Sequence, residues 1–185
     1  MLCEATLTEI FEVAMSDTKK LNTASFFTEF GAITNKTDEL NEIDFQLRLA
    51  EEYGQSTAYW QFKYYADITT SGPQESLYDA HGNLETNKLS VLSRTYFRAI
   101  GGTLLFSYFS PTSGVYTAFY AIDKSIKSGS EIYLNQDLHY PKGFNVRISP
   151  DASVYYFQTQ KNIISLFPTD SSKDGEKIQV IVTPL

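Results

Sequence analysis

Glu29 stands late in Phe26-Phe27-Thr28-Glu29-Phe30-Gly31, a run of bulky apolar residues that reads as a strand. A carboxylate in such a run is costly to bury unless it is paired or put to use. Trp60 lies in the next apolar run, Ala58-Tyr59-Trp60-Gln61-Phe62-Lys63-Tyr64-Tyr65. If the two strands are parallel neighbours, their late residues lie together at the end where α/β folds bind ligands. A flat aromatic ring beside a carboxylate suits a sugar, whose C–H face stacks on the ring. Gln61 and Lys63 are polar residues of the same run and can bond hydroxyl groups. Alternation puts Trp60 and Phe62 on one face and Gln61 and Lys63 on the other. All four reach one pocket only if the strand ends before Lys63. Each residue also has an ordinary reading. Glu29 can be an acid at a strand end facing solvent or bound to a loop, and Trp60 a core ring.

The elements that would position these residues alternate along the first half. Leu2 to Lys20 predicts a helix, with Leu7, Ile10, Phe11 and Ala14 at helical spacing. After the Phe26–Phe30 strand, Thr37 or Asp38 can cap a second helix carrying Leu40, Ile43, Leu47 and Ala50 on one stripe, and Gly54 stops it. The Trp60 strand comes next, then a polar loop marked by Gly72-Pro73 and Gly82-Asn83. Thr86 or Asn87 starts a third helix, with Leu89, Leu92, Tyr96 and Ile100 on one side. Two strands joined through a helix can pair in parallel, but an isolated pair cannot bury both faces. The segment therefore reads as a slice of a larger parallel sheet or barrel. Its alternative is a complete α+β domain that uses the second half as its partner.

From about Gly102 the pattern changes to short strands. They are expected near Thr103–Phe109, Val115–Ile122, Glu131–Leu134, Phe144–Ile148, Val154–Gln158, Ile163–Phe167 and Gln179–Thr183. Ser110-Pro111, Ser113-Gly114, Ser128-Gly129, Pro141-Lys142-Gly143 and Lys173-Asp174-Gly175 supply the turns. Seven strands at this spacing predict an antiparallel β-sandwich. No cluster of acids and histidines in this half resembles a site.

Composition narrows the function classes. Phe, Tyr and Trp make up 15% of the 185 residues, a folded composition. A net charge of -7 with no local run of Lys and Arg argues against a nucleic-acid partner. The single cysteine, Cys3, excludes an internal disulfide framework and a cysteine zinc cluster. Two histidines, His81 and His139, are too few for a histidine-rich metal site. No apolar stretch is long enough to span a membrane, and Glu4, Glu9, Glu12 and Asp17 interrupt any signal-peptide core, so localisation is left open. Asn35-Lys36-Thr37 fits the glycosylation acceptor pattern, which is weak without a secretory signal.

Phe27-Thr28-Glu29-Phe30-Gly31-Ala32 resembles the nucleophile strand of glycoside hydrolase family 5. Ala58-Tyr59-Trp60-Gln61-Phe62-Lys63-Tyr64-Tyr65-Ala66-Asp67-Ile68-Thr69-Thr70 is similar to the last barrel strand of its endoglycoceramidase-like branch. Further phrases continue the resemblance in order: Glu75-Ser76-Leu77-Tyr78-Asp79, Gly82-Asn83-Leu84, Leu92-Ser93-Arg94-Thr95-Tyr96, Ala99-Ile100-Gly101-Gly102-Thr103 and Leu138-His139-Tyr140-Pro141-Lys142-Gly143. It covers nearly the whole chain. By resemblance, residues 1–101 are the end of a (β/α)8 barrel, its last two strands with flanking helices. Residues 102–185 are an all-β, immunoglobulin-like sandwich.

The same resemblance makes Glu29 the nucleophile of a retaining β-glycosidase and Trp60 the platform under the sugar. Gln61 and Lys63 would line the substrate, a β-glycoside of a lipid such as ceramide or a sterol. No cofactor or metal is implied, and any membrane contact would be peripheral. Retaining hydrolysis needs a second carboxyl group about 5–5.5 Å from the nucleophile. The family's acid/base glutamate follows an asparagine at the end of the fourth strand, and no such strand precedes Glu29. Asn41-Glu42 falls in a helix. Glu75 and Asp79, in the loop near the barrel mouth, are weak substitutes. The expectation is a partial barrel, incomplete as a catalyst on its own. The competing expectations are a noncatalytic carbohydrate- or lipid-surface-binding protein, using Trp60 or tyrosines such as Tyr155 and Tyr156, and an inert remnant. The sequence leaves oligomeric state open.

Overall fold

The computed structural model describes residues 2–65, 68 and 72–185. It divides into two compact units, Met1–Leu92 and Ser93–Leu185. The motif residues Ala66, Asp67, Thr69 and Thr70 lie outside the described residues.

The first unit follows the alternation of helices and strands: α1 (Leu2–Leu21), β1 (Phe26–Gly31), α2 (Thr37–Glu52), β2 (Ser56–Trp60), a 3-10 turn (Pro73–Glu75) and α3 (Thr86–Leu92). β1 and β2 form a parallel two-stranded sheet. The stripe expected on α2 is the buried one, with Ile43, Leu47 and Ala50 inside. Phe11 of α1 stacks on Phe27 of β1 at 4.7 Å between ring centres, and Leu49 and Ala50 of α2 complete that cluster. Ile33, Ile43 and Leu47 form a second cluster, against which Phe30, Val91 and Leu92 pack.

Two expectations are corrected here. The second strand does not run to Tyr65 but ends at Trp60. Beyond it the backbone leaves β1 and turns to the loop after the 3-10 turn: the Gln61 amide donates to the Glu75 carbonyl, and the Leu77 amide donates to the Gln61 carbonyl. The third helix does not continue through Tyr96 and Ile100 but ends at Leu92, and Tyr96–Ala99 is a strand, β3. Leu92, Tyr96 and Ile100 are spaced by four. That spacing suits one face of a helix, but the register shift between Phe97 and Ala99 parts them: Tyr96 is exposed, while Phe97 and Ile100 pack against the sandwich core.

The second unit is all β apart from a four-residue helix, α4 (Gln136–His139). After β3 come β4 (Gly102–Phe109), β5 (Tyr116–Ile122), β6 (Ser130–Tyr133), β7 (Phe144–Ser149), β8 (Val154–Gln160), β9 (Ile163–Pro168) and β10 (Lys177–Pro184). Eight strands, one more than expected, form two antiparallel four-stranded sheets in the orders β4-β5-β10-β7 and β3-β6-β9-β8. Strict alternation on β5 and β10 turns Tyr116, Ala118, Tyr120, Ile178, Val180 and Val182 into the space between the sheets, where Ile132, Leu134, Ile164 and Leu166 meet them. The incomplete alternation of Leu104 and Leu105 has a local cause, a register shift in the β4–β5 pairing between Leu104 and Phe106. Polar groups inside the sandwich are paired. Thr95 Oγ1 and Tyr140 Oη lie 2.9 Å apart, Ser107 donates to Tyr116 Oη, and Arg94 Nη2 donates to the Phe109 carbonyl at 2.7 Å.

His139, at the end of α4, is buried against Phe109, and its Nε2 lies 2.7 Å from the Ser93 carbonyl. Burial is the largest influence and holds its pKa below the ordinary 6.5, and the Arg94 charge acts in the same direction. The unfolded chain therefore binds the proton more readily than the folded one, and stability falls as pH drops below 6.5 toward the folded value. Urea unfolding at a series of pH values should show this slope, and His139→Gln should flatten it. Core truncation offers a second check. Ile164→Ala empties a fully buried position and should cost about 2–5 kcal/mol, whereas Leu105→Ala at an exposed position should stay within about 0.5 kcal/mol in the same measurement.

Candidate functional site

The candidate site lies at the carboxyl ends of β1 and β2. Phe26 and Phe27 pair with Ser56 and Thr57, and Phe30 and Gly31 pair with Tyr59 and Trp60. Thr28 and Glu29 therefore lie opposite the single residue Ala58, a bulge that adds one residue to β1. Bulges of this kind re-aim side chains and interrupt regular pairing. Glu29 is solvent-exposed, while the flanking Phe27 and Phe30 are half-buried. The carboxylate thus avoids the burial penalty that its apolar neighbours would have imposed.

Trp60 ends β2 directly across from Gly31, and 37% of its surface is exposed. It is not a core ring. Its indole Nε1–H donates to Glu75 Oε2 at 3.2 Å. The Trp60–Gln61 peptide is cis. Gly31 has φ +131°, and a Cβ there would come within 2.5 Å of the Tyr59 ring and 2.6 Å of the Trp60 carbonyl. Only a residue without a side chain allows this approach.

The strand ends before Lys63, the condition under which Trp60, Gln61, Phe62 and Lys63 can turn toward one pocket, and the four differ in burial. Gln61 is buried, and its backbone is bound to the loop. Lys63 is exposed and belongs to no strand, while Phe62 is exposed and meets Tyr78 edge-on at 5.5 Å. The structure brings Glu29 and Trp60 to the ends of adjacent strands.

Sequence reasoning missed the residues beneath Trp60. Lys88 of α3 is fully buried; its Nζ donates to the Gln74 carbonyl at 2.9 Å and the Ser76 carbonyl at 2.8 Å, and forms an ion pair with Glu85 Oε2 at 2.6 Å. Tyr59, on the other face of β2 from Trp60, has its phenol pushed up to about 12, first by burial and then by the charges of Glu85 and Glu75. The only available signal was Lys88 itself, one position before Leu89 on the predicted helix. A lysine on a short helix ordinarily reads as solvent-facing.

The other acids first weighed as substitutes are occupied. Asp79 accepts from the His81 and Asn83 amides and the Asn83 side chain, bonds that hold its carboxyl below the usual range. Asn41 and Glu42 lie in α2, as expected. A cleft lined mostly by apolar residues, among them Leu7, Ile10, Phe11, Phe27, Phe30 and Leu47, has no acid in its lining. In the second unit, Tyr155 and Tyr156 are exposed on β8, an edge strand. The Tyr155 ring stacks with those of Phe157 and Phe167, at 6.4 and 5.6 Å between centres. No helix among the described residues is long and apolar enough to cross a membrane.

Comparison with known proteins places both units. Residues 94–182 match the glycoside hydrolase family 5 C-terminal domain. An endoglycoceramidase from Cyanea nozakii is 27% identical over 157 residues, which is 83% of this chain and 31% of the relative. One from Hydra vulgaris is 30% identical over 145 residues, 78% of this chain and 27% of the relative. The chain thus spans about a third or less of the curated relatives it matches. Among solved structures, endo-glycoceramidase II from Rhodococcus sp. superposes with a TM-score of 0.66 at 21% identity, covering 89% of this chain and 34% of that one. Sterylglucosidase 1 from Cryptococcus neoformans superposes with a TM-score of 0.72 at 12% identity, covering 98% and 31%. The fold is therefore a barrel-end α/β segment followed by a two-sheet sandwich, and the second unit is a C-terminal domain of glycoside hydrolase family 5, homologous to that of endoglycoceramidase-like enzymes.

Proposed function

We propose that this chain carries the nucleophile side of a retaining β-glycosidase that acts on glycolipids, glycosylceramides or steryl glucosides. The observation that carries the reading is the pairing of Gly31 with Trp60, which sets an exposed carboxylate and an exposed indole at the ends of neighbouring parallel strands. Likeness to endoglycoceramidases over most of the chain supports the substrate class.

In this reading Glu29 attacks the anomeric carbon and holds the sugar as a glycosyl ester, and water then releases it. The Trp60 ring lies under the sugar at the point of cleavage. Gln61 and Lys63 flank this position, and the exposed Lys63 is the better placed to meet a hydroxyl. The step also needs a proton donor for the departing oxygen. Glu75 is bound to the indole and Asp79 to its own turn, so the donor is expected from residues outside these 185. The chain by itself is then a poor catalyst for natural glycosides, whose leaving groups need that proton.

A 2-deoxy-2-fluoro-β-glucosyl fluoride avoids the missing proton, because fluoride leaves with little acid assistance. Intact-mass analysis should show one added glycosyl group, mapped to the Glu29 peptide and lost in Glu29→Gln. A folded sample that takes up no label from glucosyl or lactosyl fluorides would defeat the reading. Gly31 gives a second test. Gly31→Ala forces a side chain against Tyr59 and the Trp60 carbonyl in a left-handed conformation, at a cost of about 1–3 kcal/mol. It should lower the midpoint of thermal unfolding and slow labelling at Glu29.

A further inference from the structure

We propose that Glu75 is a positioning residue that fixes the orientation of the Trp60 indole, and that Lys88 is the brace that holds Glu75 in place. The inference rests on the reading of Trp60 as a sugar platform and deepens it by assigning what aims the platform.

Three observations combine. Glu75 is 5% exposed, yet its carboxyl group ends on the indole Nε1–H. An indole has one hydrogen-bond donor, at one edge of the ring, so a fixed acceptor there removes most of the freedom to turn about the Cβ–Cγ bond. Next, the main chain of Glu75 is tied to the platform from the other side, through the 2.6 Å bond from the Gln61 amide to its carbonyl. Residue 75 thus grips Trp60 at the ring and at the following peptide. Finally, Lys88 donates to the carbonyls of Gln74 and Ser76, the neighbours of Glu75 on either side, and is ion-paired with Glu85. Two donors of the ammonium group end on these carbonyls, and the Glu85 carboxylate balances its charge. A buried lysine held this way cannot shift without leaving its charge or a carbonyl unpaired, so the loop has one favoured place.

A side chain that serves only packing would tolerate an apolar replacement of similar size and leave the indole edge unchanged. The proposed role makes a different demand, an acceptor at that point. Glu75→Gln keeps a carbonyl oxygen there and should preserve the orientation, while Glu75→Leu removes it. Lys88→Met keeps the stem but frees the two carbonyls.

Trp60 is the only tryptophan in the chain, so a 15N–1H spectrum of the full chain contains one indole Nε1–H signal. In the unsubstituted protein its exchange with solvent should be markedly slower than in free tryptophan. Glu75→Gln should leave the signal protected, and Glu75→Leu and Lys88→Met should each shift it and lose the protection. Unprotected exchange in the unsubstituted protein overturns the proposal, even if the apolar variants fail to fold. So does an unmoved, protected signal in a folded Glu75→Leu chain.

Titration with methyl β-glucoside, followed by the same signal, separates the two levels. Binding that weakens about tenfold in Glu75→Leu, the scale of one charged hydrogen bond, and recovers in Glu75→Gln supports both. Equal affinity in all three proteins overturns the positioning role and leaves the sugar site standing. A glucoside that binds none of them, while the indole still answers to residue 75, removes the sugar reading and keeps the Glu75–Trp60 linkage.

Discussion

The parallel pairing of β1 with β2 is the constraint on which the first unit depends. A parallel ladder puts both carboxyl ends at the same edge, so residues remote in sequence become neighbours without any direct bond between them. The extra residue at Thr28-Glu29 then matters, because it interrupts regular pairing where the acid must leave the apolar surface. One face of the pair is covered by α1 and α2 through Phe11, Phe27 and Leu49. The carboxyl-end edge carries the chemistry. The division follows from the pleat and from the bulge together.

A second layer of control comes from the buried charges behind β2. Lys88, Glu85 and Glu75 concentrate polar interactions near Tyr59. Such groups contribute little net stability compared with an apolar core of the same volume. What they supply is definition: a loop that would otherwise have many arrangements is restricted to one. In the sandwich, the alternating side chains of β5 and β10 lock the register.

Much of this was legible in the sequence. The stripe on α2, the change to short strands after Gly102 and the turn signals between them are local patterns, and the fold follows them. Glu29 stood out because an acid in an apolar strand breaks the pattern around it. The misread elements share another cause. Tyr96 to Ile100 carries a helical spacing, and its pairing with β6 overrides it. The end of β2 at Trp60 is likewise set from a distance, by the loop at Glu75 and Leu77. Lys88 was invisible for the same reason. Its acceptors are peptide carbonyls, which every residue possesses and no sequence marks.

The place of β10 has a consequence for the order in which the second unit can assemble. β10 lies between β5 and β7 and pairs with both, although it is the last strand to be synthesised in this sequence. Until residues 177–184 have left the ribosome, β5 and β7 have no partner on their inner edges, and Ile178, Val180 and Val182 are missing from the core. The other sheet, β3-β6-β9-β8, is complete in backbone at Pro168, before β10 begins, but lacks the β10 side chains of the facing layer. The sandwich therefore closes only once residues 177–184 are available, and until then β5 and β7 present unpaired inner edges.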